Sequence, residues 1–127
     1  MAQDAYPGEF WLDYGLDTLK KSQAGLLAFS DGRFFGKLAT FGLADRHWLN
    51  TLYGNALFYS EYTRHFGDTE LSVIAMSMKK LVFNPHCILK EVDYDKHARP
   101  LDHNDAALYR QHAASGFEGR IAPFTPD

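Results

Sequence analysis

Apolar residues recur along much of the chain three and four positions apart, which is the spacing of a helix buried on one side. Such stripes cover residues 12–30, 34–41, 45–66 and 69–82. Composition points the same way, because fifteen Leu and fourteen Ala outnumber the twelve Val, Ile and Thr taken together. Helices favour residues that are not branched at Cβ. The pattern therefore predicts a mostly helical protein.

Two features outside the stripes complete the predicted elements. Asp102 or Asn104 can cap a further helix that runs to about residue 115, with a glycine directly after it. Residues 86–94 form the best candidate for a β-strand. A glycine and an asparagine at positions 54 and 55 are able to split the helix predicted over residues 45–66.

The chain has 127 residues, which is the length of one domain. We expect a single, compact, mainly α domain of about four to five helices with a small β element near residues 86–94. Residues 1–9 and 117–127 are expected to form extended or flexible tails. The alternative is an α+β fold with a hairpin around Asp31-Gly32, because Asp-Gly is typical of tight hairpin turns.

Residues 53–66 are unusually aromatic for a single helix. The stripe through this segment is explained by burial, but a second semi-apolar strip on the opposite face is not. A helix that is apolar on two sides lies centrally in a domain or partly at an interface, and Tyr and Arg are enriched in interface hot spots. The candidate partner-binding residues are Tyr53, Leu57, Tyr62 and Arg64.

Histidines gather in the C-terminal quarter of the chain. Imidazole near carboxylate is the usual set of groups for acid–base catalysis or for a metal ion. The spacing matches no zinc motif, and surface histidines are the simpler interpretation. The alternative site, metal-binding or acid–base, consists of His97, Asp102, His103 and His112.

Charge and composition exclude several classes of protein. The net charge is −3 and the basic residues are scattered, which argues against nucleic-acid binding. The single cysteine cannot form an intrachain disulfide, which fits a reducing compartment. No apolar run is long enough to span a bilayer, and the N-terminal residues do not resemble a signal peptide. No nucleotide or phosphate motif is present, so no cofactor is expected.

These observations favour a small cytoplasmic protein that is not an enzyme. We expect it to act by binding another protein or by forming a homo-oligomer, through the residues named above. The alternative is a small metal-dependent or acid–base enzyme that uses the C-terminal histidines. A nucleic-acid accessory factor is the weaker alternative.

Overall fold

The computed structural model of the protein describes residues 5–32, 36, 38–39, 42–91 and 102–126. These residues form five helices and four strands. In chain order they are β1 (Ala5–Pro7), α1 (Trp11–Ser22), β2 (Leu26–Ser30), β3 (Gly42–Ala44), α2 (Arg46–Tyr53), α3 (Gly67–Ser77), β4 (Leu81–Glu91), α4 (His103–Ala114) and α5 (Gly116–Gly119). None of the helices in these segments is long and apolar enough to cross a membrane.

The four strands form one sheet in the order β1-β4-β2-β3. The two central strands, β2 and β4, run parallel, with Leu26 opposite Leu81 and Leu27 opposite Val82. Both outer strands are antiparallel to their neighbours and only three residues long. Short outer strands limit the unpaired backbone that a sheet edge presents to solvent.

Helices cover both faces of this sheet. Leu27 and Phe29 point to one face and pack with Trp11 and Leu19 of α1. Leu26 and Ala28 point to the other face, where the larger core contains residues of α2, α3, α4 and α5. Strand β2 is therefore buried on both sides, as strands in parallel sheets usually are.

The fold is mixed α+β and not plainly mainly α. The stripe over residues 12–30 is only half helical, because α1 ends at Ser22 and Gln23 adopts a left-handed φ of 56°. Residues 26–30 form a strand whose two buried faces remove the polar alternation by which strands are usually recognised. The helix predicted from the stripe extended through residues 26–30 because Leu and Ala are compatible with a helix as well as with a strand.

Two other predicted helices are also shorter than their stripes. The helix expected over residues 45–66 ends at Tyr53, since Gly54 adopts a φ of 65°. The helix expected over residues 69–82 ends at Ser77, and Lys79 then takes a left-handed φ of 58° before β4 begins. In both places one residue with a positive φ redirects the chain.

The expected β element lies within a longer strand. Strand β4 covers Leu81–Glu91, while residues 92–94 lie outside the described part of the chain. The alternative with a hairpin is closer to the observed fold, since β2 and β3 pair antiparallel, although they are separated by more than a two-residue turn. Most of the stripe at 34–41 falls outside the described residues.

The C-terminal part of the chain begins with a helix, α4, that is capped by Asp102. Asp102 accepts hydrogen bonds from the backbone N–H groups of Asn104 and Asp105, and α4 starts directly after it. Beyond α4, the side chain of Phe117 is fully buried and that of Phe124 packs against the same core. The segment expected as a tail thus contributes two aromatic rings to the core.

A substitution at Gly25 tests the packing between the sheet and α2. An alanine Cβ at this position would overlap the indole ring of Trp48, and the φ of Gly25 is not left-handed, so the penalty is steric. We expect Gly25→Ala to lower the free energy of unfolding by about 1–3 kcal/mol, the usual cost of overpacking. Denaturant titration measures this change in the free energy of unfolding.

The control is the same substitution in a Trp48→Ala background. There the added methyl group meets no indole, and its cost should fall to within about 0.5 kcal/mol, as for substitutions away from close contacts. An equal cost in both backgrounds would contradict this packing.

Candidate functional site

A carboxylate lies inside the larger core. Glu70 belongs to α3, and its side chain is completely inaccessible to solvent. It shares the buried side of that helix with Leu71, Ile74 and Ala75. Burying a carboxylate is costly unless its oxygens accept hydrogen bonds, so the groups around Glu70 determine what this part of the core can do.

Three side chains from other parts of the chain satisfy Glu70. The hydroxyl of Tyr53 donates to Oε2 at 2.6 Å, and that of Tyr62 donates to Oε1 at 3.0 Å. The Nδ1 atom of His112 is hydrogen-bonded to the same Oε1. We assign the proton of this bond to Nδ1, since both oxygens of Glu70 already accept hydrogen bonds from tyrosine hydroxyls.

Both tyrosines are held in the protonated form that this arrangement needs. Burial raises the pKa of Tyr53 well above its ordinary value, and the hydrogen bond to Glu70 raises it further. Burial also raises the pKa of Tyr62, with the negative charge of Glu70 as the next cause. Each hydroxyl therefore remains a donor far into the alkaline range.

The imidazole of His112 is fixed on three sides. The ring of Tyr59 stacks on it at a centroid distance of 4.2 Å, and Phe117 meets it edge-on at 5.4 Å. With Nδ1 bound to Glu70, Nε2 is the ring nitrogen left for another hydrogen bond. It is buried and has no hydrogen-bond partner among the described residues. The nearest charged atom is Oε1 of Glu118, at 3.5 Å.

A strained turn brings Glu118 to this position. Four consecutive residues have positive φ values: Gly116 (67°), Phe117 (53°), Glu118 (62°) and Gly119 (83°). Such a conformation costs about 1–3 kcal/mol for each residue other than glycine, and persists only where the surroundings enforce it. Burial of Phe117 and the backbone bond from Ile121 to Gly116 provide that enforcement.

Arg120 closes the site from the other side. Its guanidinium donates to the backbone carbonyl of Phe117 at 2.8 Å and to that of Leu52. It also lies over the ring of Tyr53, 5.2 Å from the centroid, in a cation–π arrangement. Arg120 thereby ties the C-terminal turn to the end of α2, where Tyr53 meets Glu70.

Asp105 positions the segment that carries Tyr62. Its buried carboxylate accepts hydrogen bonds from three consecutive backbone N–H groups, those of Thr63 (2.9 Å), Arg64 (2.7 Å) and His65 (2.8 Å). The N–H of Thr63 is the largest cause that lowers the pKa of Asp105, against the opposing effect of burial. Asp105 and His112 are seven residues apart and therefore on the same face of α4.

The candidate partner-binding residues are divided between interior and surface. Tyr53 and Tyr62 use their hydroxyls inside the protein, on Glu70. Leu57 is exposed on the connection between α2 and α3, and so is the side chain of Arg64.

The candidate metal or acid–base residues are also separated. His112 is buried beside Glu70, whereas His103 is exposed at the start of α4 and Asp102 caps that helix. His97 lies outside the described residues. Within the described segments, no three His, Cys, Asp or Glu side chains are grouped so that they could hold a metal ion. The structure thus brings together Tyr53, Tyr62 and His112 from two separate predicted sets.

Sequence reasoning missed Glu70 and Asp105, although a signal for both is present. Glu70 precedes Ile74 by four residues, and Asp105 precedes Tyr109 by four. Each is thus a carboxylate on the apolar stripe of its own helix, a position where charged residues are rare unless they are paired. Glu118 and Arg120 have no comparable pattern, because they depend on a turn.

Comparison with protein-family models, with curated proteins and with solved structures finds no match for this chain.

Asp105 should make stability depend on pH. Its pKa is lower in the folded protein than in the unfolded chain, so its stabilising effect is complete above the unfolded value of about 4 and is lost as the pH falls through the folded value. We expect Asp105→Asn to destabilise the protein strongly at pH 7, with the difference from wild type shrinking below about pH 4.

The measurement is denaturant unfolding of both proteins across this pH range. Asp13→Asn is the matched control, since Asp13 is exposed on α1 and should give a small difference that does not depend on this network. A constant difference between wild type and Asp105→Asn down to pH 2.5 would show that the charge of Asp105 is not responsible.

Proposed function

We propose that the protein is a small acid–base enzyme in which His112 is the catalytic residue and Glu70 is a positioning residue. One observation carries the proposal. The imidazole is bound through Nδ1 to a buried carboxylate, while Nε2 is left without a hydrogen-bond partner among the described residues. A general base needs this arrangement, with one nitrogen fixed and the other available.

The chemistry of such a pair follows from its charges. The lone pair of Nε2 accepts a proton from the reacting group, while Nδ1 keeps its proton and its bond to Glu70. The positive charge that forms on the imidazole lies beside a negative carboxylate, which stabilises it. The same proton then returns from Nε2 to the product. Glu70 acts only as an acceptor throughout, with the two tyrosine hydroxyls and Nδ1 as its donors.

The surroundings of His112 favour the side of Glu118 as the approach for a substrate. Tyr59 and Phe117 occupy the face and an edge of the imidazole. The side chain of Glu118 is 56% exposed, so it is the part of the covering that can move into solvent most easily. Movement of that side chain is the step that makes Nε2 accessible.

A substitution that removes Nε2 but keeps a donor near the position of Nδ1 tests this role. Asn in place of His112 keeps a nitrogen donor near the position of Nδ1 and lacks the rest of the ring. Since an accessible imidazole accelerates ester hydrolysis, we expect His112→Asn to lower the rate with p-nitrophenyl acetate by roughly 100-fold, the lower end of acid–base contributions.

His103→Asn is the matched control, because it removes an exposed histidine of the same helix. Its rate should equal that of wild type, and thermal melting should show that all three proteins are folded. If wild type and His112→Asn hydrolyse the ester equally fast, His112 is not a working base and the proposal is wrong.

A second candidate function is self-association. Leu57 and Phe58 are 52% and 40% exposed on the connection between α2 and α3. Glu61 and Arg64 are exposed on the same connection. In a twofold dimer a surface meets its own copy, so Arg64 of one chain can pair with Glu61 of another around an apolar centre. A second copy of this chain is therefore the partner that we propose for this surface.

Introducing a charge at the centre of the surface tests it. Leu57→Glu should convert a dimer to a monomer in sedimentation velocity, because a buried unpaired carboxylate opposes association. Leu16→Glu is the control, since Leu16 is equally exposed but belongs to α1 on the opposite side of the sheet. A monomeric wild type at the highest concentration would contradict the proposal.

We also propose that the protein works in a reducing compartment such as the cytoplasm. Cys87 is the only cysteine of the sequence and its side chain is fully buried. Burial raises the pKa of its thiol, which suits an inert apolar packing role.

A further inference from the structure

The carboxylate of Glu118 lies between two side chains that can donate through nitrogen: Arg120, and His112 when its imidazole carries a proton at both nitrogens. Its Oε1 is 3.5 Å from Nε2 of His112, and its Oε2 is 3.6 Å from Nη1 of Arg120. Both distances exceed those of ordinary hydrogen bonds. Glu118 thus occupies a place suited to an anion without forming a hydrogen bond to either neighbour there.

The two nitrogen donors are held much more firmly than the carboxylate. His112 is fixed by Glu70 and by two aromatic rings. Arg120 is fixed by two backbone carbonyls and by the ring of Tyr53. Their positions are therefore set before any ligand arrives, which reduces the entropy that binding costs.

Glu118, in contrast, is attached to the strained left-handed turn and its side chain is more than half exposed. Turning the side chain into solvent exchanges the two long contacts, and the interaction with the hydroxyl of Tyr59, for full hydration. It leaves a space between a guanidinium and an imidazole nitrogen, and this pair of donors suits a planar group with two oxygens.

We propose that His112 and Arg120 form a binding site for the carboxylate group of a small molecule, and that Glu118 is an internal occupant which the ligand displaces. This inference rests on the proposed function, and it specifies the substrate class of that site. One carboxylate oxygen of the ligand binds at Arg120, and in a substrate the proton-bearing group attached beside the carboxylate lies at Nε2. In acetate the second oxygen takes that place and accepts a hydrogen bond from Nε2 of the protonated imidazole, the form that His112 has after it has taken up a proton.

Acetate is the probe, and its binding is followed by the ring resonances of His112 in protein with isotope-labelled histidine. Glu118→Ala removes the internal occupant. We expect its Kd for acetate to be roughly tenfold or more below that of wild type, since a tethered competitor acts at a millimolar effective concentration. Neutral acetamide at the same ionic strength should leave the resonances of His112 unchanged.

Two further variants complete the test. Glu118→Gln keeps the size of the side chain without its charge, so it should also bind acetate more tightly than wild type, and it serves if Glu118→Ala does not fold. Glu9→Ala removes an exposed glutamate elsewhere and should behave as wild type. If folded Glu118 variants show no saturable acetate effect at His112, or the same effect with acetamide, the inference is wrong.

This outcome is distinct from failure of the proposed function. Acetate binding together with equal ester hydrolysis by wild type and His112→Asn would retain the carboxylate site and reject the acid–base role. Loss of hydrolysis in His112→Asn without acetate binding would reject the carboxylate site and retain the acid–base role.

Discussion

A carboxylate placed among apolar side chains is tolerated only if donors reach both of its oxygens, because an unpaired buried charge costs several kcal/mol. Glu70 meets this condition with donors that are 17 residues before it, 8 residues before it and 42 residues after it in the chain. The end of α2, the connection that follows it and α4 must therefore all dock correctly around α3. Removing one partner from such a cluster costs about 3–5 kcal/mol in other proteins, much more than a surface ion pair contributes.

The same requirement explains features that are otherwise unrelated. Asp105 fastens the segment after Tyr62 to α4, so that the Tyr62 hydroxyl and His112 approach Glu70 together. Arg120 fastens the C-terminal turn to Leu52 and to the ring of Tyr53. The strained backbone at residues 116–119 is sustained by these attachments, since Phe117 is locked in the core. The strained turn and the buried charge are each unfavourable alone, and the same set of contacts stabilises both at a single site.

Some of this structure is visible in the sequence, and the rest is not for physical reasons. The start of α4 follows from Asp102, because capping is local chemistry. Strand β2 was hidden because both of its faces are covered, which removes the alternation that distinguishes a strand from a helix. The end of α2 depended on whether Gly54 would adopt a positive φ, which the sequence allows but does not require.

The candidate site was only partly recognisable for a related reason. Tyr53, Tyr62 and His112 stand out individually, as aromatic or titratable residues, but their meaning depends on Glu70, which draws them to one point. A carboxylate on an apolar stripe indicates that donors must exist, but it does not identify them, because they come from distant parts of the chain. The constraint that makes the core stable also fixes the imidazole of His112. Because Nδ1 is used to satisfy a buried charge, Nε2 has a defined direction, and the nearest charged group to it is the partly exposed carboxylate of Glu118.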